Sequence, residues 1–281
     1  MIVHNQREKG AIAFVVFNQP EISTDKIPSV VMVFLMALAV STTVQASPLN
    51  KFQLMTEHWA PYQYEDGKEL KGYAVDIVAE LLKRTGSSQT KKDIQLLPWA
   101  RAYRELETTE NTLLFSVTRT PERENKFKWV GPIFYNTTYL IALKDSHIKI
   151  EDGHSLKNYR FGTIRNDVSE LYLKRYDVAP KNFSRHNNTK SNLEMLMRQR
   201  VDMIVVGWEA FKDDARSLGL DPDKFEKVFE LDNANVSIAF HPKTPDRIIA
   251  HLQNTLDEIR SEGLFGKYLR KHGIEQPKGF P

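Results

Sequence analysis

Ser116, Thr118 and Arg123, two hydroxyls and a guanidinium, stand close together in Ser116-Val117-Thr118-Arg119-Thr120-Pro121-Glu122-Arg123. The segment follows the apolar run Leu113-Leu114-Phe115 and precedes a second run, Phe127-Lys128-Trp129-Val130, that ends at Gly131-Pro132. This reads as a buried strand whose end, with a proline-started turn, delivers Ser116, Thr118 and Arg123 to one spot. Such a set suits a carboxylate, because the planar guanidinium donates two parallel hydrogen bonds to it. Taken alone, the segment reads equally well as a surface turn with a solvated arginine. Four more places hold residues able to act on a small ligand. Glu57, Trp59 and Tyr62 lie on a loop interrupted by Pro61, and Trp99 and Arg101 open a helix after Pro98. Arg165-Asn166-Asp167-Val168 occupies a strand-to-helix turn, and Gly207-Trp208-Glu209 follows an apolar strand.

The elements that must position these residues alternate, which predicts an α/β architecture. Strands are predicted at Phe52 to Thr56, Ile94 to Leu97, Thr112 to Val117, Tyr139 to Leu143, Arg160 to Ile164, Asp202 to Val206 and Val236 to Phe240. Helical spacing of Val75, Ile77, Val78, Leu81 and Leu82 predicts a helix from Tyr73 to Arg84, with Gly86 beyond it as a stop. A second helix covers Trp99 to Glu107. Asp167-Val168-Ser169-Glu170 reads as a capped helix start, and Ser191-Asn192-Leu193-Glu194 as another, with Leu193, Leu196 and Met197 facing inward. A long amphipathic helix runs from Pro245 to Glu262, and Gly263 to Leu269 closes the chain. Neither repeats nor low-complexity stretches occur.

The first 46 residues read as a targeting segment rather than as part of the fold. Ile27 to Val40 is an apolar run behind Lys26, and Val44-Gln45-Ala46 is a small-x-small cleavage pattern. The run is shorter than the roughly 20 apolar residues of a membrane span. The leader, residues 1–25, is longer than a signal needs, which points to a start codon placed too early; an uncleaved anchor is the alternative. Cleavage after Ala46 leaves 281 − 46 = 235 residues, the size of one large domain or two lobes of about 100 residues each. Lys and Arg total 39 against 36 acids, a balance that gives no nucleic-acid signature. With no cysteine there is no disulfide framework, and the scattered histidines lack metal-ligand spacing. No cofactor or metal is expected, and nothing resembles a nucleotide-binding loop.

Taken together, the segment from Ser116 to Pro132, the opening Thr56-Glu57-His58-Trp59-Ala60-Pro61-Tyr62-Gln63-Tyr64 with Gly72-Tyr73-Ala74-Val75-Asp76-Ile77, and the tail Glu262-Gly263-Leu264-Phe265-Gly266-Lys267-Tyr268 resemble the family 3 bacterial extracellular solute-binding proteins. Leu97-Pro98-Trp99-Ala100-Arg101-Ala102 is similar to the Pro-Trp-x-Arg-Ala variant of a divergent branch. The resemblance covers nearly all of the chain after Ala46. It implies a two-lobed periplasmic-binding-protein-like fold of type II, each lobe an open, mostly parallel sheet flanked by helices, with two strand-like hinge crossings. Lobe 1 would comprise residues 47–141 and 237–281, and lobe 2 residues 142–236. The resemblance also implies roles: Trp59 stacks on the ligand, Thr118 and Arg123 hold its carboxylate, and the turn at Arg165 to Ser169 offers backbone N–H groups. Asp167 departs from the small residues usual there and is explained as a helix cap. Gly207 departs more seriously, since it stands near where the family's ammonium-pairing aspartate belongs. Either Glu57 or Glu209 substitutes for that aspartate, or the ligand is not a standard α-amino acid.

The expected function is capture of a small polar, carboxylate-bearing ligand between the lobes, outside the cytoplasm in the periplasm, by a monomer without enzymatic activity. Its partner would be a membrane permease with its ATPase, or alternatively a sensor. A dehydratase-like enzyme on the same fold is the third reading, with Glu57, His58, Asp167 and Glu209 as the available acid–base groups.

Overall fold

The computed structural model describes residues 47–275. The expected leader, its apolar run and the cleavage point after Ala46 lie outside them. The first half contains β1 (Gln53–Thr56), the hairpin of β2 (Tyr64–Asp66) and β3 (Glu69–Lys71), α1 (Tyr73–Arg84), β4 (Ile94–Leu96), α2 (Trp99–Thr108), β5 (Thr112–Thr118), the single turn α3 (Pro121–Glu124) and the long β6 (Lys128–Leu143). Then follow β7 (Phe161–Ile164), α4 (Val168–Arg175), β8 (Phe183–His186), α5 (Thr189–Met197), β9 (Met203–Gly207), α6 (Trp208–Ser217), the equally long β10 (Phe225–Phe240), α7 (Asp246–Ser261) and α8 (Leu264–Lys271).

Local chemistry accounts for most of these limits. The helix α1 buries the face predicted for it and starts at Gly72, whose φ of +125° and 2.3 Å approach of a would-be Cβ to the Tyr62 carbonyl oxygen admit only glycine. Asp167 caps α4 by accepting a hydrogen bond from the Ser169 N–H, as its sequence predicted. The helix α5 begins three residues earlier than expected, because Asn188 rather than Ser191 is the cap; its side chain accepts from the Ser191 N–H at 2.8 Å. Leu193 and Leu196 are buried as predicted, but Met197 is 42% exposed. It is the last residue of α5, where the chain turns away through Gln199 in the left-handed region, and no element covers it.

The parallel strands require helical crossovers, and the sheet order is β4-β1-β5-β10-β6-β9-β7-β8. The strand β1 runs parallel to β4 and β5, and β7 runs parallel to β8 and β9. Between these two parallel groups, β6 and β10 pair antiparallel from Phe225 against Leu143 to Phe240 against Lys128. The two expected sheets are therefore one continuous ladder whose central pair is the hinge. Sequence showed only the ends of these strands, because Gly131, Pro132, Asn136, Thr137 and Thr138 interrupt the apolar pattern of β6. Backbone pairing with β10 carries the strand through them.

Buried side chains form separate cores on either side of the hinge. Leu54, Tyr73, Ile77, Phe115, Phe134 and Phe240 belong to the first, which Phe265 and Leu269 of α8 join. Beyond the hinge, Leu140, Phe161, Tyr172 and Met203 pack on one face of the sheet, and Ile141, Leu193, Ile204 and Phe211 on the other. The change of core falls between Phe134 and Tyr139 on β6, and between Leu231 and Val236 on β10.

Candidate functional site

Ligands of open α/β sheets sit beyond the carboxyl ends of the parallel strands, and here those ends meet across the hinge. The loop after β1 contributes Glu57, His58 and Trp59, the start of α2 contributes Trp99, and the end of β5 contributes Ser116 and Thr118. From the opposite side come Asp167, Val168 and Ser169 at the start of α4, with Gly207 at the end of β9. Asn136 and Thr138 of the hinge strand β6 close the back. These residues surround an inner chamber of about 60 Å³, room for a few waters and far below the several hundred Å³ of typical ligand pockets.

Contacts between the two sides bound the chamber. The Trp99 indole Nε1–H donates to the Asn166 carbonyl oxygen at 3.0 Å across the gap. Arg175 on α4 donates to Glu122 on α3 at 3.0 and 3.1 Å, and to Asp232 of the hinge strand β10 at 2.8 Å. Trp59 packs at once against the first core and against the cluster that includes Tyr139 and Val206. Two further cavities adjoin the chamber: one of about 420 Å³, sharing Glu57, Trp59 and Trp99, and one of about 300 Å³, lined by Tyr103, Arg123, Asn166 and Asp167 among others.

Arg123 is only 2% exposed. Its Nη1 donates to the Thr118 carbonyl oxygen at 3.0 Å, and its guanidinium carbon lies 5.1 Å from the ring centres of both Trp99 and Tyr103, which are themselves 5.3 Å apart, so one cation contacts two adjacent rings. It stands behind the Trp99 ring and borders the 300 Å³ cavity rather than the inner chamber. Ser116 has φ +65° in the middle of a strand, a conformation costing of order 1–3 kcal/mol for a non-glycine residue. Its Oγ donates to the Gln63 Oε1 at 2.8 Å, which holds the kinked strand end in place.

The acid groups of the chamber are Glu57 and Asp167. Desolvation in the cleft raises the Glu57 carboxyl well above its ordinary value; the neighbouring Asp167 charge adds to this and Arg123 opposes it. A buried carboxylate in this position gains most from a cation. Ser169 Oγ is buried in the chamber wall without a hydrogen-bond partner among the described residues. At Gly207 a Cβ would lie 2.3 Å from the Asn136 Oδ1, so any side chain there would displace the Asn136 amide. The amide and the Thr138 hydroxyl, joined at 3.2 Å, occupy the space in front of Gly207.

Of the residues singled out in the sequence, Glu57, Trp59, Trp99, Ser116, Thr118, Asp167, Val168 and Gly207 surround the chamber, with Arg123 and Asn166 on the adjoining cavity. The other four lie away from these walls. Tyr62 is a core residue stacked on Phe134 at 4.1 Å. Arg101 and Arg165 are exposed, because neither α2 nor the turn before α4 directs them inward. Trp208 stacks on Phe211 at 5.0 Å and holds Lys227 on its face. Glu209 is engaged by Lys212 at 2.8 Å and does not reach the chamber. Sequence reasoning missed Asn136, Thr138 and Thr189 among the wall residues and named His58 only as an acid–base group. Asn136-Thr137-Thr138, polar in the middle of a strand, is the one signal that pointed to two of them.

The sequence matches the bacterial extracellular solute-binding proteins, family 3, over residues 54–275. The chain belongs to that family. The family is one of small-molecule binding proteins. No curated protein matches the sequence. Among solved structures, the chain is similar to the arginine-, lysine-, histidine-binding protein ArtJ from the thermophilic bacterium Geobacillus stearothermophilus, at TM-score 0.67 and 16% identity over 81% of this chain and 97% of that one. It is similar to a histidine kinase sensor domain resembling periplasmic binding proteins, at TM-score 0.71 and 15% identity over 81% and 99%. The substrate-binding protein of an amino acid ABC transporter aligns at TM-score 0.64 and 17% identity over 78% and 97%. At these identities the likeness shows the two-lobed binding-protein fold. No helix among the described residues is long and apolar enough to cross a membrane.

Proposed function

We propose that this family 3 member is an exported, periplasmic receptor that closes its two lobes on a small zwitterionic solute, an amino acid or amino-acid-like molecule, and presents it to a membrane transporter. The observation that carries the reading is a chamber whose walls come from both sides of a two-strand hinge. Contacts with the second lobe exist only when the clamp is shut, so binding favours closure. The ligand carboxylate is assigned to Arg123 with Thr118, reached when the Trp99 ring turns aside, and the ammonium to Glu57. Glu57 then does the work of the aspartate absent at Gly207, since Glu209 is held by Lys212.

A second reading, a sensory module that reports occupancy to a partner, draws support from the similarity to the histidine kinase sensor domain. The same clamp serves either output. A thermal-shift screen of the purified protein against amino acids, dipeptides, polyamines, organic acids and small sugars tests the common part. Selective stabilisation by one solute class is expected, and a flat response across the screen would overturn the receptor reading. A transporter complex that takes up the same solute only when this protein is present separates transport from sensing.

A further inference from the structure

The cavity of about 420 Å³ beside the inner chamber carries charged side chains of both signs, Glu57 and Asp214 with Lys190. The two tryptophans Trp59 and Trp99 stand at its junction with the chamber, and Leu96, Leu97, Pro98 and Ile164 give it an apolar surface. Asp214 lines it without lining the inner chamber. This residue sits on the inward face of α6, in line with the buried Ala210 and Phe211, and is only 9% exposed. Its carboxylate makes no hydrogen bond and no ion pair with any described residue. Burial pushes the carboxyl up to about 6, against the pull of Lys190 and with a smaller push from Asp213. Burying a carboxylate without a partner is costly, and a helix face packed this tightly gains nothing structural from it. The compartment supplies what a cation on an aliphatic stem needs: apolar walls for the methylenes, aromatic faces, and an acid at the end.

We propose that this outer compartment is a subsite for the distal, positively charged group of an elongated ligand, with Asp214 as its counter-ion. The proposal rests on the receptor reading and sharpens it: the ligand's amino-acid-like head enters the inner chamber and its basic tail lies between Trp59 and Trp99. Lys190 borders the same compartment from the first turn of α5 without forming an ion pair with Asp214. It is half-exposed on a flexible stem, whereas Asp214 is fixed on a buried helix face, so the incoming cation displaces the lysine and not the acid.

The test is isothermal titration of the purified protein with L-arginine and L-lysine, paired with the uncharged L-citrulline and L-norleucine. The charged member of each pair is expected to bind at least tenfold more tightly. Asp214→Asn should remove that preference while leaving the ligand-free melting temperature equal or higher, because it removes an unpaired buried charge. Lys190→Met should move the preference the opposite way, upward. A preference that survives Asp214→Asn, or uncharged probes that bind the unaltered protein as well as the charged ones, would overturn the subsite. If none of the four binds but another small solute raises the melting temperature, the subsite falls and the receptor stands; if no solute does, both fall.

Discussion

The two walls of the cleft are built from different material. On one side the wall is made of side chains already locked in place: Trp99 on α2, with Arg123 held against it and against Tyr103, and Ser116 tied to Gln63. On the other side it is made largely of turns, the start of α4 at Asp167 to Ser169 and the end of β9 at Gly207. Under the proposed receptor reading, the first wall would meet the ligand with groups already in place, and the second would add its contacts on closure. Ligand selection should therefore reside in the first wall and the open–closed balance in the contacts between the two.

The sharpest way to break this contrast is at Arg123. Arg123→Ala is expected to abolish ligand-induced thermal stabilisation by whichever solute the screen identifies. It should also lower the ligand-free melting point, since a hydrogen bond from a charged donor is worth about 1.5–3 kcal/mol and both ring contacts go with it. A full ligand response in that variant would mean that the first wall does not read the ligand through its guanidinium.

A smaller effect is expected at Trp99. Trp99→Phe keeps a ring against Arg123 but leaves the Asn166 carbonyl oxygen without its indole donor. The loss of about 1 kcal/mol should weaken binding about fivefold and raise the radius of gyration of the ligand-free protein in small-angle scattering. Unchanged scattering would show that this bond does not hold the lobes together.

The smallest effect belongs to Glu122, which is 41% exposed at its side chain and pairs with Arg175 at the edge of the cleft. Partly exposed pairs contribute at most about 1 kcal/mol, so Glu122→Gln should lower the melting temperature by no more than a few degrees. Hydrogen bonds from Arg175 hold the Glu122 carboxyl down at about 2, against an ordinary value of 4.5. A depressed carboxyl stabilises the folded form above its ordinary value and loses that contribution as the pH falls toward the lower one. The gap between wild-type and Glu122→Gln melting curves should thus be constant above pH 4.5 and shrink between pH 4.5 and 2. A gap that grows as the pH falls would rule out the pairing as the cause.

Much of the cleft was legible in the chain because its parts are local. The hydroxyls and arginine around the end of β5, the Asp167 cap and the glycine after β9 each announce themselves within a few residues. Tyr62, Arg101, Arg165 and Trp208 lie beside residues that line the cavities but do not line them themselves, and whether a neighbour points inward depends on what packs against it. Tyr62 is drawn into the core by Phe134, seventy-two positions later in sequence numbering. Asp214 was passed over because an acidic residue on a helix reads as solvent-facing. Its position three and four residues from Phe211 and Ala210, on the apolar side of α6, was the available clue.

By itself the sequence determined the alternation of strands and helices, the caps that begin α4 and the face that α1 buries, because these follow from period, propensity and the backbone groups at helix ends. Tertiary structure alone decided that β6 and β10 form a single continuous hinge pair, that Arg123 is pinned behind Trp99, and that Asn136 fills the space before Gly207. Each of these depends on side chains and backbones far apart in the chain competing for the same small volume, and a one-dimensional pattern carries no record of which of them arrives.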